Sequence, residues 1–69
     1  MIINNKTGLT DAIVHEQVAK NRNRLYRSKS GSLQITLPSG YLTLLLDINT
    51  NGEVIITATF ERMQSWKLD

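Results

Sequence analysis

The second half of the chain alternates apolar and polar residues in three runs, and this pattern predicts three β-strands. Each run is rich in β-branched and other strand-forming side chains. We predict strands near Ser32–Leu37, Tyr41–Ile48 and Glu53–Phe60. The turn residues between them are Pro38-Ser39-Gly40 and Asn49-Thr50-Asn51-Gly52. Short turns of this kind join antiparallel neighbours, so the three strands form a β-meander.

The alternation also predicts which residues lie opposite each other across the strands. A loop of Thr50-Asn51-Gly52, with Gly52 at positive φ, sets the second hairpin, and continuity of the apolar face sets the first. The predicted pairs are Leu46 with Ile56, Leu44 with Ala58, Leu37 with Leu42, and Ile35 with Leu44. The predicted apolar face consists of Leu33, Ile35, Leu37, Leu42, Leu44, Leu46, Ile48, Val54, Ile56, Ala58 and Phe60.

A short amphipathic helix is predicted before the strands. Thr10 is a good N-cap residue, because its side chain can accept a hydrogen bond from a free backbone N–H. The apolar residues Ile13, Val14 and Val18 recur at helical spacing. We therefore predict a helix over Asp11–Ala19 that packs these side chains on the apolar face of the sheet.

The segment after this helix is open to three interpretations. Asn21 and Asn23 are poor helix formers, so we predict that the helix ends near Lys20. Residues 21–30 are then a frayed extension of the helix, an irregular basic loop, or an extra edge strand near Arg24–Arg27. The pattern of residues does not separate the three.

Together these elements predict one small α+β domain over residues 1–69. The chain has 69 residues, of which 41% are hydrophobic, and it contains no cysteine. A core of this size gives little stability, and small domains without disulfides or metals depend on close packing or on self-association. The small core, a partly apolar second face of the sheet and possible open edge strands together favour self-association.

The charges are unevenly placed, although the net charge is only +2. Between Glu16 and Asp47 the chain has no acidic residue. The residues in this interval that suit binding to nucleic-acid phosphates and bases are Lys20, Arg22, Arg24, Tyr26, Arg27 and Lys29. The competing interpretation is a solvated, charged connector between helix and sheet, and the two are equally compatible with the sequence.

Catalytic, cofactor and metal sites are not predicted. His15 follows Asp11 by four residues, so the two could touch on a helix, but no nucleophile accompanies them in a recognisable turn. Glu16 points about a quarter-turn away from this pair, and no third metal ligand is evident. The glycines fit turns and form no phosphate-binding loop. We therefore expect a protein that is not an enzyme.

We expect a cytoplasmic protein that does not enter a membrane. The first residues, Met1-Ile2-Ile3-Asn4-Asn5-Lys6, lack the apolar run of a signal peptide. No apolar stretch among the predicted strands that is free of aromatic residues exceeds the three residues of Leu44-Leu45-Leu46, far fewer than the ~20 that span a bilayer.

Two functions are compatible with these features. The first is an interaction protein, a homodimer or a partner of another protein, that associates through its sheet. The interface residues predicted for it are Tyr41, Leu45, Ile55 and Trp66. The second is an accessory protein that binds nucleic acid with little sequence preference through residues 20–29, because phosphate contacts carry no sequence information.

Overall fold

The structure is a computed structural model that describes residues 1–63, in which one helix packs on one face of a four-stranded sheet. In chain order the elements are β1 (Ile2–Asn5), α1 (Asp11–Arg27), β2 (Ser32–Leu37), β3 (Gly40–Ile48) and β4 (Val54–Arg62). The strand order is β1-β4-β3-β2, with β1 parallel to β4 and the other neighbours antiparallel. The predicted α+β class and β-meander are confirmed. No helix within residues 1–63 is long and apolar enough to cross a membrane.

The sheet has one more strand than the three predicted. β1 lies at the edge beside β4, where Ile2 pairs with Ile55 and Asn5 pairs with Ala58. The Lys6 N–H extends this ladder by donating to the Ala58 carbonyl at 2.9 Å. Four residues with no alternation and two asparagines give no local strand signal, and the pairing depends on a segment far along the chain.

The helix is longer than predicted. α1 continues through Asn21 to Arg27, so the alternative of an edge strand near Arg24–Arg27 is wrong. The Asn21 side chain is buried and hydrogen-bonded, since its amide donates to the Gln17 carbonyl at 2.8 Å and its oxygen accepts from Arg24 at 3.1 Å. These bonds satisfy the polar atoms that make Asn unfavourable in a helix interior.

The buried side of α1 differs from the predicted one at both ends. Val14, Val18 and Leu25 are buried against the sheet, and Leu25 lies beyond the predicted end of the helix. Ile13, predicted to pack on the sheet, keeps 41% of its surface exposed. It precedes Val14 by one residue, which on an α-helix is a rotation of about 100° away from the core.

The centre of the core is the predicted apolar face of the sheet. Leu42, Leu44, Ile56 and Ala58 are fully buried, and the other predicted residues pack around them with one exception. Ile48 is 62% exposed, which corrects its predicted place in the core. It is the last residue of β3.

The predicted pairing of β3 with β4 is confirmed, and that of β2 with β3 is wrong by two residues. Leu46 lies opposite Ile56, and Gly52 takes the expected positive φ of 81°. In the first hairpin Ile35 lies opposite Leu42, because only Pro38 and Ser39 form the turn and Gly40 belongs to β3. A shift of two residues keeps every side chain on its predicted face.

Candidate interaction surfaces

The predicted basic residues other than Lys29 lie on a continuous helix rather than on a loop. Lys20, Arg24 and Arg27 follow one another at spacings of four and three residues, so they share one side of α1. Arg22 and Tyr26 are four residues apart and lie along a different side, with Tyr26 49% exposed. Lys29, just after the helix, is also exposed.

Part of this positive charge has a structural role. The Lys20 ammonium lies 3.2 Å from the Glu16 carboxylate, and the Arg24 guanidinium donates to Asn21. Arg24 and Arg27 stand in the last turn of α1, where cations stabilise the negative end of the helix dipole. Three of the five basic side chains therefore have a role within α1 that requires no bound ligand.

The outer face of the sheet, opposite α1, is the second surface predicted from the sequence. Leu45 is 47% exposed on this face, whereas Tyr41 and Ile55 are half-buried. Leu45 pairs with Thr57 and Asp47 pairs with Ile55, so Leu45 and Ile55 are diagonal neighbours as expected. Trp66, the fourth predicted interface residue, lies outside the described residues.

The first strand adds an apolar residue to this face that sequence reasoning missed. Ile2 lies directly beside Ile55 on the outer face and is 43% exposed. We call Ile2, Leu45 and Ile55 the outer cluster. Threonines and Asp47 surround it, so the outer face is a small apolar cluster on a polar sheet. The sequence gives no signal for Ile2, because its place on this face depends on the pairing of β1 with β4, which only the fold reveals.

A third surface is the side of β2 that pairs with no other strand within residues 1–63, and its residues were not among the predicted interface residues. The Leu46 N–H donates to the Gly31 carbonyl at 2.7 Å, which fixes Leu33, Ile35 and Leu37 as the residues whose backbone groups bond to β3. The backbone N–H and C=O groups of Gln34 and Thr36 consequently point away from the sheet. We call this free side the β2 edge.

The candidate catalytic pair is not assembled. The Asp11 carboxylate accepts a hydrogen bond from the Asn5 amide at 2.8 Å, and no hydrogen bond joins it to His15 within residues 1–63. Asn5 also accepts from Thr7 and donates to the Leu9 carbonyl, so Asp11 belongs to the connection between β1 and α1. The described part of the chain holds no cluster of three residues that could bind a metal ion.

Comparison with models of known protein families, with curated proteins and with solved structures finds no match to this chain. The arrangement of its own side chains is therefore the basis for a functional proposal.

Proposed function

We propose that this chain is a non-enzymatic interaction protein that self-associates through the outer face of its sheet. The observation that carries the proposal is that, within residues 1–63, the sheet is covered on one face only: α1 packs on that face, and the outer cluster lies on the other. Exposed apolar clusters framed by polar residues are typical of protein–protein contacts. The cytoplasmic location predicted from the sequence belongs to the same proposal.

The size of the core supports association between copies. Seven apolar side chains are buried among the described residues, and the chain has no cysteine for a disulfide. Burying the outer cluster against a second copy would add apolar contact to this small core. A two-fold contact is the commonest way to do so, because each copy then buries the same residues.

The test is a measurement of mass and melting temperature against protein concentration. We expect the wild-type chain to sediment as more than one copy and its melting temperature to rise with concentration, because association stabilises only the folded chain. Replacing Leu45 and Ile55 together by lysine should lower the mass, since lysines opposing each other across a two-fold contact repel.

Ala12→Lys with Ala19→Lys is the matched control, because both alanines are exposed on α1, away from the outer face. This control adds the same charge and should leave the mass unchanged. A wild-type chain that stays a single copy at high micromolar concentration, with a melting temperature independent of concentration, would contradict the proposal.

A second candidate function, nucleic-acid binding, is favoured by the length of α1. The helix aligns Lys20, Arg24 and Arg27 on one side, where they could follow a line of phosphates. It also places Arg22 four residues before Tyr26, whose exposed ring could stack on a base. Contacts of this kind would position the protein without reading a particular sequence.

If α1 binds nucleic acid, replacing Arg22, Arg24 and Arg27 by alanine should weaken binding to all sequences alike. The slope of log affinity against log salt should fall by about 0.9 for each lost phosphate contact. Alanine favours helices, but Arg24→Ala also removes the donor to the buried Asn21 oxygen, so circular dichroism of this variant checks that α1 persists. The control replaces the same three residues by lysine, which keeps the charge and should keep most of the salt dependence. Titration of labelled duplex and single-stranded DNA at two salt concentrations measures the affinity and its salt dependence. Wild-type protein that binds neither DNA at low salt rules this function out.

A further inference from the structure

We propose that the β2 edge is a strand-pairing site for a second copy of this chain. In this contact two β2 strands pair antiparallel and join two four-stranded sheets into one continuous sheet. The contact uses a different surface from the outer face, so it goes beyond the proposed function and does not depend on it.

The backbone groups available at the β2 edge form a segment with two defined ends. At one end the outward groups of Ser32 are already used, because its N–H donates to the Ser28 hydroxyl at 3.3 Å and its carbonyl accepts from that hydroxyl at 2.8 Å. At the other end stands Pro38, which has no N–H to donate. Between these ends lie Gln34 and Thr36, whose outward groups make no hydrogen bond within residues 1–63.

This short segment is complementary to itself. With a two-fold axis at Ile35, Gln34 of one copy lies opposite Thr36 of the second copy, and the reverse pair follows by symmetry. Each pair exchanges two hydrogen bonds, which gives about four in all. The same register places Ser32, whose outward groups are used, opposite Pro38, which has no donor. In both copies, therefore, the backbone groups available for pairing end at the same two positions, Ser32 and Pro38.

The side chains of β2 also match across this axis. Leu33, Ile35 and Leu37 are half-buried and face the helix side of the sheet. In the proposed register Ile35 lies beside Ile35 of the second copy, and Leu33 lies beside Leu37 of the second copy. Because paired residues in a sheet project to the same face, the two apolar rows would extend one another and cover the open end of each core.

Nothing in the β2 edge opposes pairing. Proteins protect edge strands with charges, prolines within the strand or bulges, and β2 has none of these. The chain carries no charged residue between Lys29 and Asp47. β1, the edge strand on the other side of the sheet, is only four residues long and is followed directly by Lys6.

The positive charge near β2 does not prevent the contact either. Lys29 lies before the start of β2, and antiparallel pairing places the starts of the two strands at opposite ends of the contact. Because Ser32 lies opposite Pro38 of the second copy, the starts of the two β2 strands are about 20 Å apart at ~3.3 Å per residue, beyond the ~8 Å screening length of physiological salt. A second copy fits this edge in length, in charge and in the order of its side chains.

The experiment uses the Leu45→Lys, Ile55→Lys chain as its background, so that the outer face does not contribute. Sedimentation equilibrium at physiological salt should show a dimer in this background. Adding Gln34→Lys with Thr36→Lys places lysines opposite each other across the axis, and we expect dimerisation to weaken at least tenfold. Adding Gln34→Lys with Thr36→Glu changes the same two positions but pairs lysine with glutamate, and the dimer should persist.

A further variant removes a donor instead of adding charge. Thr36→Pro deletes an outward N–H that makes no hydrogen bond within residues 1–63. It should abolish the dimer, and circular dichroism should show that the fold is intact. Because Gln34 and Thr36 are both exposed, the charge variants should also stay folded.

Two results would overturn the edge contact. One is a background chain that is already a single copy. The other is a dimer that responds equally to the lysine–lysine and lysine–glutamate variants, since the charges would then not face each other. Neither result bears on the outer face, which is judged by comparing the wild-type chain with the background.

Discussion

Replacing Leu44 by alanine is expected to lower the free energy of unfolding by about 2–5 kcal/mol. Leu44 is fully buried on β3, between Leu33 on β2 and Ala58 on β4. Truncation removes apolar contact and leaves a cavity. Leu33 and Ala58 are held in place by the strand pairing on both sides of Leu44, so they cannot move far enough to fill it. At roughly 0.05–0.15 kcal/mol per residue, a domain of 69 residues has a stability of about 3–10 kcal/mol, so this loss is a large fraction of the whole.

Leu45→Ala is the matched control for this prediction. It makes the same change at the next residue, but Leu45 is 47% exposed on the outer face, so its loss should be well under half as large. Ile56→Ala and Ile48→Ala form a second pair, because Ile56 is fully buried and Ile48 is 62% exposed. Chemical denaturation at low protein concentration keeps association out of the comparison. Equal losses for Leu44→Ala and Leu45→Ala would show that the assignment of faces is wrong. Equal losses for Ile56→Ala and Ile48→Ala would show that the end of β3 is as well packed as its centre.

The strands of the hairpins were predictable because their signals are local. Period-two alternation marks β2, β3 and β4, and Gly52 marks the loop between the last two strands. A loop of three residues then fixes which residues pair in β3 and β4. The first hairpin was less determined, since the sequence gives no local sign that Gly40 leaves the turn and joins β3.

The features that sequence reasoning missed depend on contacts between distant segments. β1 is a strand only because β4 provides a parallel partner for it. α1 passes through Asn21 because that side chain finds hydrogen bonds on its own helix and because Leu25, one turn later, is buried against the sheet. In both places tertiary contacts outweigh weak local propensity.

The same distinction applies to the candidate surfaces. The outer positions of Leu45 and Ile55 follow from alternation alone and were predicted. Ile2 joins them only through β1, and the free groups of the β2 edge become apparent only when the strand order is known. The basic residues were found as a cluster in the sequence, but their division between two sides of α1 required the helix to reach Arg27.

Replacing Gly40 by alanine is expected to destabilise the fold by about 3 kcal/mol, although it adds a single methyl group. Gly40 begins β3 at a φ of +158° and lies tightly against the end of β4. A β-carbon at this position would stand 2.8 Å from the Phe60 ring and 2.9 Å from the Met63 backbone nitrogen, and it would also clash with the Glu61 carbonyl. Two of these three neighbours are backbone atoms, so the end of β4 has to move.

Gly52→Ala separates this crowding from the general cost of losing a glycine. Gly52 has a φ of 81°, but a β-carbon there meets nothing within 4 Å, so we expect a loss of about 1–2 kcal/mol from backbone strain alone. Thermal melts should resolve the difference, since 1 kcal/mol shifts the melting temperature of such a domain by about 4–8 °C. Adding Phe60→Leu to Gly40→Ala relieves only the ring contact, and the backbone contacts should keep the double variant unstable. Full rescue by Phe60→Leu would instead mean that the ring alone excludes a side chain at Gly40, and that the end of β4 yields easily.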